Sequence, residues 1–209
     1  LSSIFGSILG TISALKRGTA TDTGLTIAGM IGVSIPEFFF GLVAILVFAL
    51  NLHWLPVGGR LLPSYETYWD HIPNMVMPAL VLSIMMTAGV MRYARAAMLD
   101  ALSRDFIKTA RSKGLPEWRV NLLHGFRVAL TPVIVLIGFR LPMLIGGSVI
   151  VEQVFQWPGL GSLFVAAVRN KDLPVVMTVA LFSVIIVLMV SLMIDVVTAI
   201  IDPRVRLSR

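Results

Sequence analysis

An all-α protein embedded in a membrane is the fold class this sequence predicts, and three observations carry it. Hydrophobic residues fill 57% of the 209 positions and charged residues only 13%, for a mean hydropathy of +0.90. A soluble domain of this size buries only part of its chain and could not hide so much apolar surface. The apolar residues also fall into five runs, four of them long enough to cross ~30 Å of hydrocarbon at ~1.5 Å per residue. Finally, the net charge of +6 gathers in one loop and the C-terminal tail. That is the positive-inside pattern of a membrane protein and not a nucleic-acid-binding surface. The chain has no cysteine, which removes disulfides, thiolate metal sites and thiol nucleophiles from consideration.

The runs justify themselves in order. Leu1–Leu15 is too short to span alone and reads as the inner part of a longer helix with sequence upstream. It lacks the basic start and small-residue cleavage site of a signal peptide. Gly6 and Gly10, four apart, let another helix approach closely. Lys16, Arg17 and Asp22 follow in a short loop. The second span, about Leu25 to Leu50, contains Ser34-Ile35-Pro36-Glu37-Phe38-Phe39-Phe40-Gly41. Pro36 removes a backbone donor and should kink the helix. The loop 51–71 mixes Arg60, Glu66 and Asp70 with Trp54, Tyr65, Tyr68 and Trp69, aromatics of the kind that sit at the membrane–water interface.

The third span is about Ile72–Met91, with Pro73 and Pro78 in its first turns. The loop Arg92–Arg127 carries eight Lys/Arg against three acids. The fourth span, about Val128–Val151, is interrupted by Arg140. The loop Glu152–Asp172 carries Phe155-Gln156-Trp157-Pro158-Gly159-Leu160-Gly161. The fifth span, about Leu173–Ile201, is uncharged until Asp195, and Asp202–Arg209 forms a basic tail. Basic and near-balanced connections alternate without a parity conflict. The topology is therefore five spans in a single domain, 1–209, with the 92–127 loop and the C-terminus cytoplasmic.

Glu37 and Arg140 lie in apolar spans, roughly 20 Å and roughly 18 Å from the cytoplasmic ends at 1.5 Å per residue. Intramembrane charges are costly and face a cavity or each other. Two readings stand: a site on a translocation path, with Ser34, Pro36, Glu37 and Arg140 around it, or a structural pair. Asp195, near a span end, can snorkel or cap. His53, His71 and His124 have no metal-ligand spacing.

The 92–127 loop contains a hairpin. Asp105 can cap a helix over 106–113, Gly114 suits the left-handed residue that ends it, and Pro116 suits the first position of a second helix. Phe106, Ile107 and Ala110 fall on one side of the first helix; Leu115, Trp118 and Leu122 recur at helical spacing in the second. Physics alone allows two roles: an amphipathic element lying on anionic headgroups, or a docking site for a protein.

The loop runs Thr109-Ala110-Arg111-Ser112-Lys113-Gly114-Leu115, then Arg119-Val120, then His124-Gly125-Phe126-Arg127-Val128-Ala129-Leu130-Thr131-Pro132. Ser34-Ile35-Pro36 precedes it; Phe155 to Gly161 and Asp202-Pro203-Arg204-Val205-Arg206 follow it. In this order and spacing the segments resemble the B-type transmembrane permease subunit of binding-protein-dependent ABC importers, in the oligopeptide, dipeptide and nickel branch. The general importer loop begins Glu-Ala-Ala where Lys108-Thr109-Ala110 stands here, and its later Leu-Pro is Phe126-Arg127 here.

The resemblance implies a type I ABC importer transmembrane domain (MetI-like) that forms half of a translocation path, most readily for di- or oligopeptides. Nickel, opine-type or glutathione-type solutes are the alternative. It implies that Thr109, Ala110, Gly114, Leu115, Pro116 and Trp118 couple to an ATPase, with Ala110, Leu115 and Trp118 as the contacts. It places Trp157, Pro158 and Gly159 in an external turn near a docked binding protein; an interface anchor is the simpler role for Trp157. The implied partners are a second homologous permease subunit, two cytoplasmic ATPase subunits, an external (periplasmic) solute-binding protein and the lipid of a bacterial inner membrane. No Gly-rich phosphate loop with its Lys occurs here, so ATP and Mg would sit on the ATPases and no cofactor is expected in this chain. No nucleophile–base or His-Glu-x-x-His motif marks an intramembrane enzyme, and no internal repeat marks a secondary transporter.

Overall fold

A computed structural model describes residues 1–59, 68–145 and 148–201. Within these, every regular element is a helix: α1 (Ser2–Leu15), α2 (Ala20–Ser34), α3 (Glu37–Ala44), α4 (Ile72–Ser103), α5 (Asp105–Ser112), α6 (Glu117–Arg119), α7 (Arg127–Ile145), α8 (Val149–Val154), α9 (Leu160–Arg169) and α10 (Leu173–Ile201). Seven-residue π-helical segments follow α3 (Ile45–Asn51) and α6 (Val120–Phe126), and a short 3-10 turn, Tyr68–His71, leads into α4. The expected basic tail, Asp202–Arg209, and the loop residues Arg60, Tyr65 and Glu66 lie outside the described residues.

Three described helical stretches are long and apolar enough to cross a membrane: Trp69–Ser103, Glu117–Arg140 and Leu173–Ala199. The broken pair Ala20–Ser34 and Glu37–Asn51 makes a fourth if counted as one span. The first expected span is α1, whose 14 residues reach about 21 Å at 1.5 Å per residue, short of ~30 Å of hydrocarbon. The five apolar runs thus reappear in order, with their boundaries corrected: α2 already begins at Ala20, so Asp22 is helical and not in the expected loop, and the fourth apolar stretch begins at Glu117, well before Val128. Pro36 does more than kink its helix: α2 stops at Ser34, Pro36 is extended (φ −62°, ψ 140°), and α3 starts at Glu37. The third span runs on to Ser103 instead of ending near Met91, because Ala94, Ala96, Ala97, Met98, Leu99 and Ala101 are strong helix formers. The fourth ends at Ile145 instead of Val151, and Val149–Val154 is a separate helix.

The described residues divide into two compact units, residues 1–34, 85–139 and 192–201 in one and residues 35–59, 68–84, 140–145 and 148–191 in the other. The first is assembled along one face of α4. Ala88, Met91, Arg95, Met98 and Leu102 recur at alternating spacings of three and four, which aligns them on a helix. Gly32 lies against Ala88, and Gly29 lies against the Met91 side chain, so α2 approaches closely. On α1, Gly6 meets Val90, and Gly10 meets Met91 and Ala94, as the four-residue glycine spacing predicted. Lower down, Met98, Ala101, Ala14 and Ala129 form a buried cluster with Phe126 and Val128 packed on it. Gly138 of α7 lies against Ile194 of α10.

In the second unit the core forms around Phe155, which is 1% exposed and sits with Ala44, Ala49, Met77, Val81 and Val151. Two glycines make room for it. Gly41 on α3 lies against its ring, and Gly58 lies against its backbone, where the Gly59 N–H donates to the Phe155 carbonyl at 2.8 Å. The ring thereby joins α3, the first π-helical segment, α4, α8 and the 55–59 loop. Phe155→Ala should lower stability by about 3–5 kcal/mol, through lost packing and the cavity left behind. Thermal unfolding of the purified protein in detergent measures this, and a loss below about 1 kcal/mol would show that Phe155 is not the anchor.

Candidate functional site

The hairpin 105–119 closes on its own small core. Ile107 and Val120 are fully buried and Ala110 nearly so, with Leu102 and Leu115 packed against them. Along α5 the buried positions are 107 and 110 only, so Phe106, expected on that side, is 39% exposed instead. A one-residue step turns a helical side chain by about 100°, which carries Phe106 off the buried stripe.

The end of α5 is a Schellman motif built from main chain. The Gly114 N–H donates to the Arg111 carbonyl at 2.9 Å and the Leu115 N–H to the Ala110 carbonyl at 3.4 Å. Gly114 sits at φ +73°, the left-handed conformation expected of it. Leu115 then folds back onto Ala110 in the hairpin core, the apolar contact that accompanies such caps. Across the turn the Arg111 guanidinium grips Glu117 with two hydrogen bonds of 2.9 and 3.2 Å. Both side chains are about half exposed, so the pair sets geometry more than it adds stability.

Two details differ from expectation by one position each. Asp105 is the first residue of α5, not its cap: Arg104 occupies the cap position without a side-chain bond, and the Asp105 carboxylate accepts from Lys108 Nζ at 2.9 Å. Pro116 is the residue before α6, extended at φ −65° and ψ 142°, and its carbonyl accepts from the Arg119 and Val120 N–H groups. The expected coupling residues therefore divide into two sets. Ala110 and Leu115 are turned inward and hold the hairpin together. Thr109, Gly114, Pro116 and Trp118 are exposed. Trp118 is 58% exposed, with the Arg119 guanidinium 5.2 Å from its ring centre.

The remaining predicted site residues lie elsewhere. Ser34 is exposed at the end of α2, its hydroxyl donating to the Met30 carbonyl at 2.8 Å. Pro36 is exposed and Glu37 partly buried; the Ser148 hydroxyl donates to the Glu37 carboxylate at 3.2 Å. Arg140 is partly buried on α7. Trp157, Pro158 and Gly159 form a turn between α8 and α9 that is organised by Glu152, a residue the sequence did not single out. The Glu152 carboxylate accepts the Ser162 N–H at 2.7 Å and caps α9, while its carbonyl accepts the Trp157 N–H at 2.8 Å. Gly159 lies directly against that carboxylate, and Gly161 lies against Val149 and the same carboxylate. A Cβ on Gly159 would occupy the cap's space, and one on Gly161 would run into Val149 before it reached the carboxylate. The spacing of an acid ten residues ahead of a helix's third residue is a signal legible only once the turn is known.

Fold and site together define a multi-pass, all-α membrane protein that presents a self-packed basic hairpin between its spans. Residues 6–207 match the family described as binding-protein-dependent transport system inner membrane component, and the chain belongs to that family, with its MetI-like fold. Among similar proteins, an oligopeptide transport system permease protein of Bacillus subtilis is 45% identical over 197 residues, which cover 94% of this chain. A putative peptide permease protein of Brucella ovis is 38% identical over 98% of the chain. A di/tripeptide transport system permease protein of Pseudomonas aeruginosa is 34% identical over 98% of it. The chain spans 62% of the length of the first relative, 65% of the second and 67% of the third.

Beyond its chain neighbours, nothing lies within 4 Å of a Cβ placed on Gly114, so the backbone conformation is what resists a side chain there. Gly114→Val should therefore destabilise the turn by about 1–3 kcal/mol, the usual range for a residue forced into a sparsely populated conformation, whereas Gly114→Asn, which tolerates the left-handed region, should leave it intact. Hydrogen exchange of the 105–120 amides checks this: faster exchange in the valine variant alone is expected, and equal exchange in both would contradict it.

Proposed function

We propose that this chain is the transmembrane subunit of an ATP-driven importer, forming half of a translocation path for di- or oligopeptides. The single observation that carries the reading is the hairpin within its family setting: a self-supporting turn, capped at Gly114 and stapled by Arg111–Glu117, in a chain that belongs to a binding-protein-dependent transport family. The relatives' names, oligopeptide and di/tripeptide permeases, favour peptides as the solute.

In this reading the hairpin and the tail face the cytoplasm. Two ATPase subunits hold ATP and Mg, a second homologous permease subunit completes the path, and an external binding protein delivers the solute. The exposed set, Thr109, Gly114, Pro116 and Trp118, meets a groove on the ATPase. Ala110 and Leu115 act behind it by keeping the turn in shape, which amends their expected role as contacts. Closure of the ATPases on ATP moves the hairpin, and the spans pass from inward-open to outward-open as a rigid-body transition biased by ligand. Glu37 and Arg140 supply one charge of each sign for a solute that carries both an amine and a carboxylate.

The test uses the complete complex in proteoliposomes, with uptake of a labelled peptide and ATP hydrolysis measured together. Uptake that needs ATP, the ATPases and the binding protein is expected; ion-gradient-driven uptake by the chain alone would contradict the reading. Gly114→Asp keeps a residue that tolerates the turn but places a side chain and a negative charge on the exposed face. It should cut uptake at least about tenfold, the equivalent of 1.4 kcal/mol of coupling, while ATP hydrolysis continues. Unchanged uptake would remove Gly114 from the coupling surface.

A further inference from the structure

Besides the hairpin, the first unit holds an ionic cluster to which neither the family nor the relatives' names assign a role. Asp22 is 5% exposed although it lies in the first turn of α2, and its carboxylate is saturated. It accepts Arg95 Nε at 2.7 Å and an Arg95 terminal nitrogen at 2.8 Å, the Ser13 hydroxyl at 2.6 Å and the Gly18 N–H at 3.0 Å. The Thr26 hydroxyl approaches at 3.5 Å. One carboxylate thus ties the end of α1, the Gly18 turn, the start of α2 and the last third of α4. A bidentate Arg–carboxylate pair fixes direction as well as distance. The Arg95 side chain is 28% exposed but the Asp22 side chain only 7%, so separation would leave the buried carboxylate without its cation.

The position of Arg95 on α4 matters as much as its partner. Met98 and Leu102 follow it on the same face, at three and seven residues. Met98 packs on Ala14 of α1 and Ala129 of α7, and Leu102 packs on the hairpin core of Ile107, Ala110 and Val120. Gly125, at the end of the second π-helical segment, lets both side chains in: its Cβ would lie 3.1 Å from each. A displacement of the hairpin is therefore delivered first to Leu102 and Met98. Apolar contacts resist compression, but they slide and separate readily, and the ion pair one turn further along does neither.

We infer that Asp22 and Arg95 are positioning residues for transport: an ionic clamp that makes α1, α2 and α4 follow the hairpin as one body. The inference rests on the importer reading and deepens it. Without the clamp, hairpin movement dissipates as sliding of α4 against α1 and α2. The signature of its loss is ATP hydrolysed without solute moved, which a fold defect does not produce.

The experiment measures peptides imported per ATP hydrolysed by the complete complex in proteoliposomes, with complex yield recorded for each variant. The variants are Asp22→Asn, Arg95→Gln and the exchange Asp22→Arg with Arg95→Asp. Each single variant should assemble, hydrolyse ATP at no less than half the wild-type rate and import at least fivefold less peptide per ATP. Arg95→Lys, which keeps the charge but not the two-point grip, should fall in between. The exchanged pair should recover part of the lost ratio.

A ratio unchanged in the single variants overturns the inference, and so does a parallel fall of hydrolysis and uptake, or loss of assembly in every single variant including Arg95→Lys; these outcomes mean a clamp for stability only. They are distinct from failure of the importer reading, in which the wild-type complex itself shows no ATP-dependent uptake.

Discussion

The structure of the first unit depends on one face of α4. Five residues at alternating spacings of three and four present, in order, a small contact for Gly32, a flexible one for Gly29, an ion pair for Asp22, an apolar knob between α1 and α7, and a last leucine for the hairpin. Each partner is shaped to that face. Glycines stand where α1 and α2 come closest, because in hydrocarbon helices associate through tight van der Waals packing and not through a hydrophobic drive. The single charge on the face is matched by a carboxylate with all its near partners made, the condition under which charge is tolerated at a membrane boundary.

The hairpin follows the same logic at a smaller scale. It has no long helix to stabilise it, and isolated helices of eight residues are not stable in water. Its shape comes from burying Ile107, Ala110 and Val120 against Leu102, from a main-chain cap at Gly114 and from the Arg111–Glu117 staple across the turn. Since those devices use the inward residues and the backbone, Thr109, Gly114, Pro116 and Trp118 are left outside, and they are the residues a partner could meet. The π-helical segment that follows, Val120–Phe126, carries Gly125 into the gap beside Met98 and Leu102 and joins the hairpin to α7.

Much of this was legible in the sequence, for physical reasons. Apolar run length gave the order of the spans. The need for a left-handed residue marked Gly114, and the four-residue spacing of Gly6 and Gly10 announced a close helix approach. What escaped was tertiary. Asp22 and Arg95 are 73 positions apart, and Arg95 counted as a loop charge because a cationic residue ends an apolar run in any hydropathy argument. The helix continues past it on the propensity of the residues that follow, and its partner on α2 is what a hydropathy argument cannot see. Glu152 escaped likewise: its work is done on Gly159 and Ser162, and the glycine-rich motif looked like a turn sequence when it is a cradle for a carboxylate. The inward turn of Ala110 and Leu115 was hidden because small and apolar residues suit a hairpin core and a docking face equally well.

In the proposed importer the exposed side of the hairpin meets a soluble ATPase and not the lipid surface. Photo-crosslinking decides it directly, with a photoreactive residue placed in turn at positions 109, 118, 107 and 120 of the assembled complex in native membranes. Crosslinks to the ATPase subunit are expected from positions 109 and 118 and none from the buried positions 107 and 120. Crosslinks from 109 and 118 to lipid alone, with the ATPase present and bound, would contradict it.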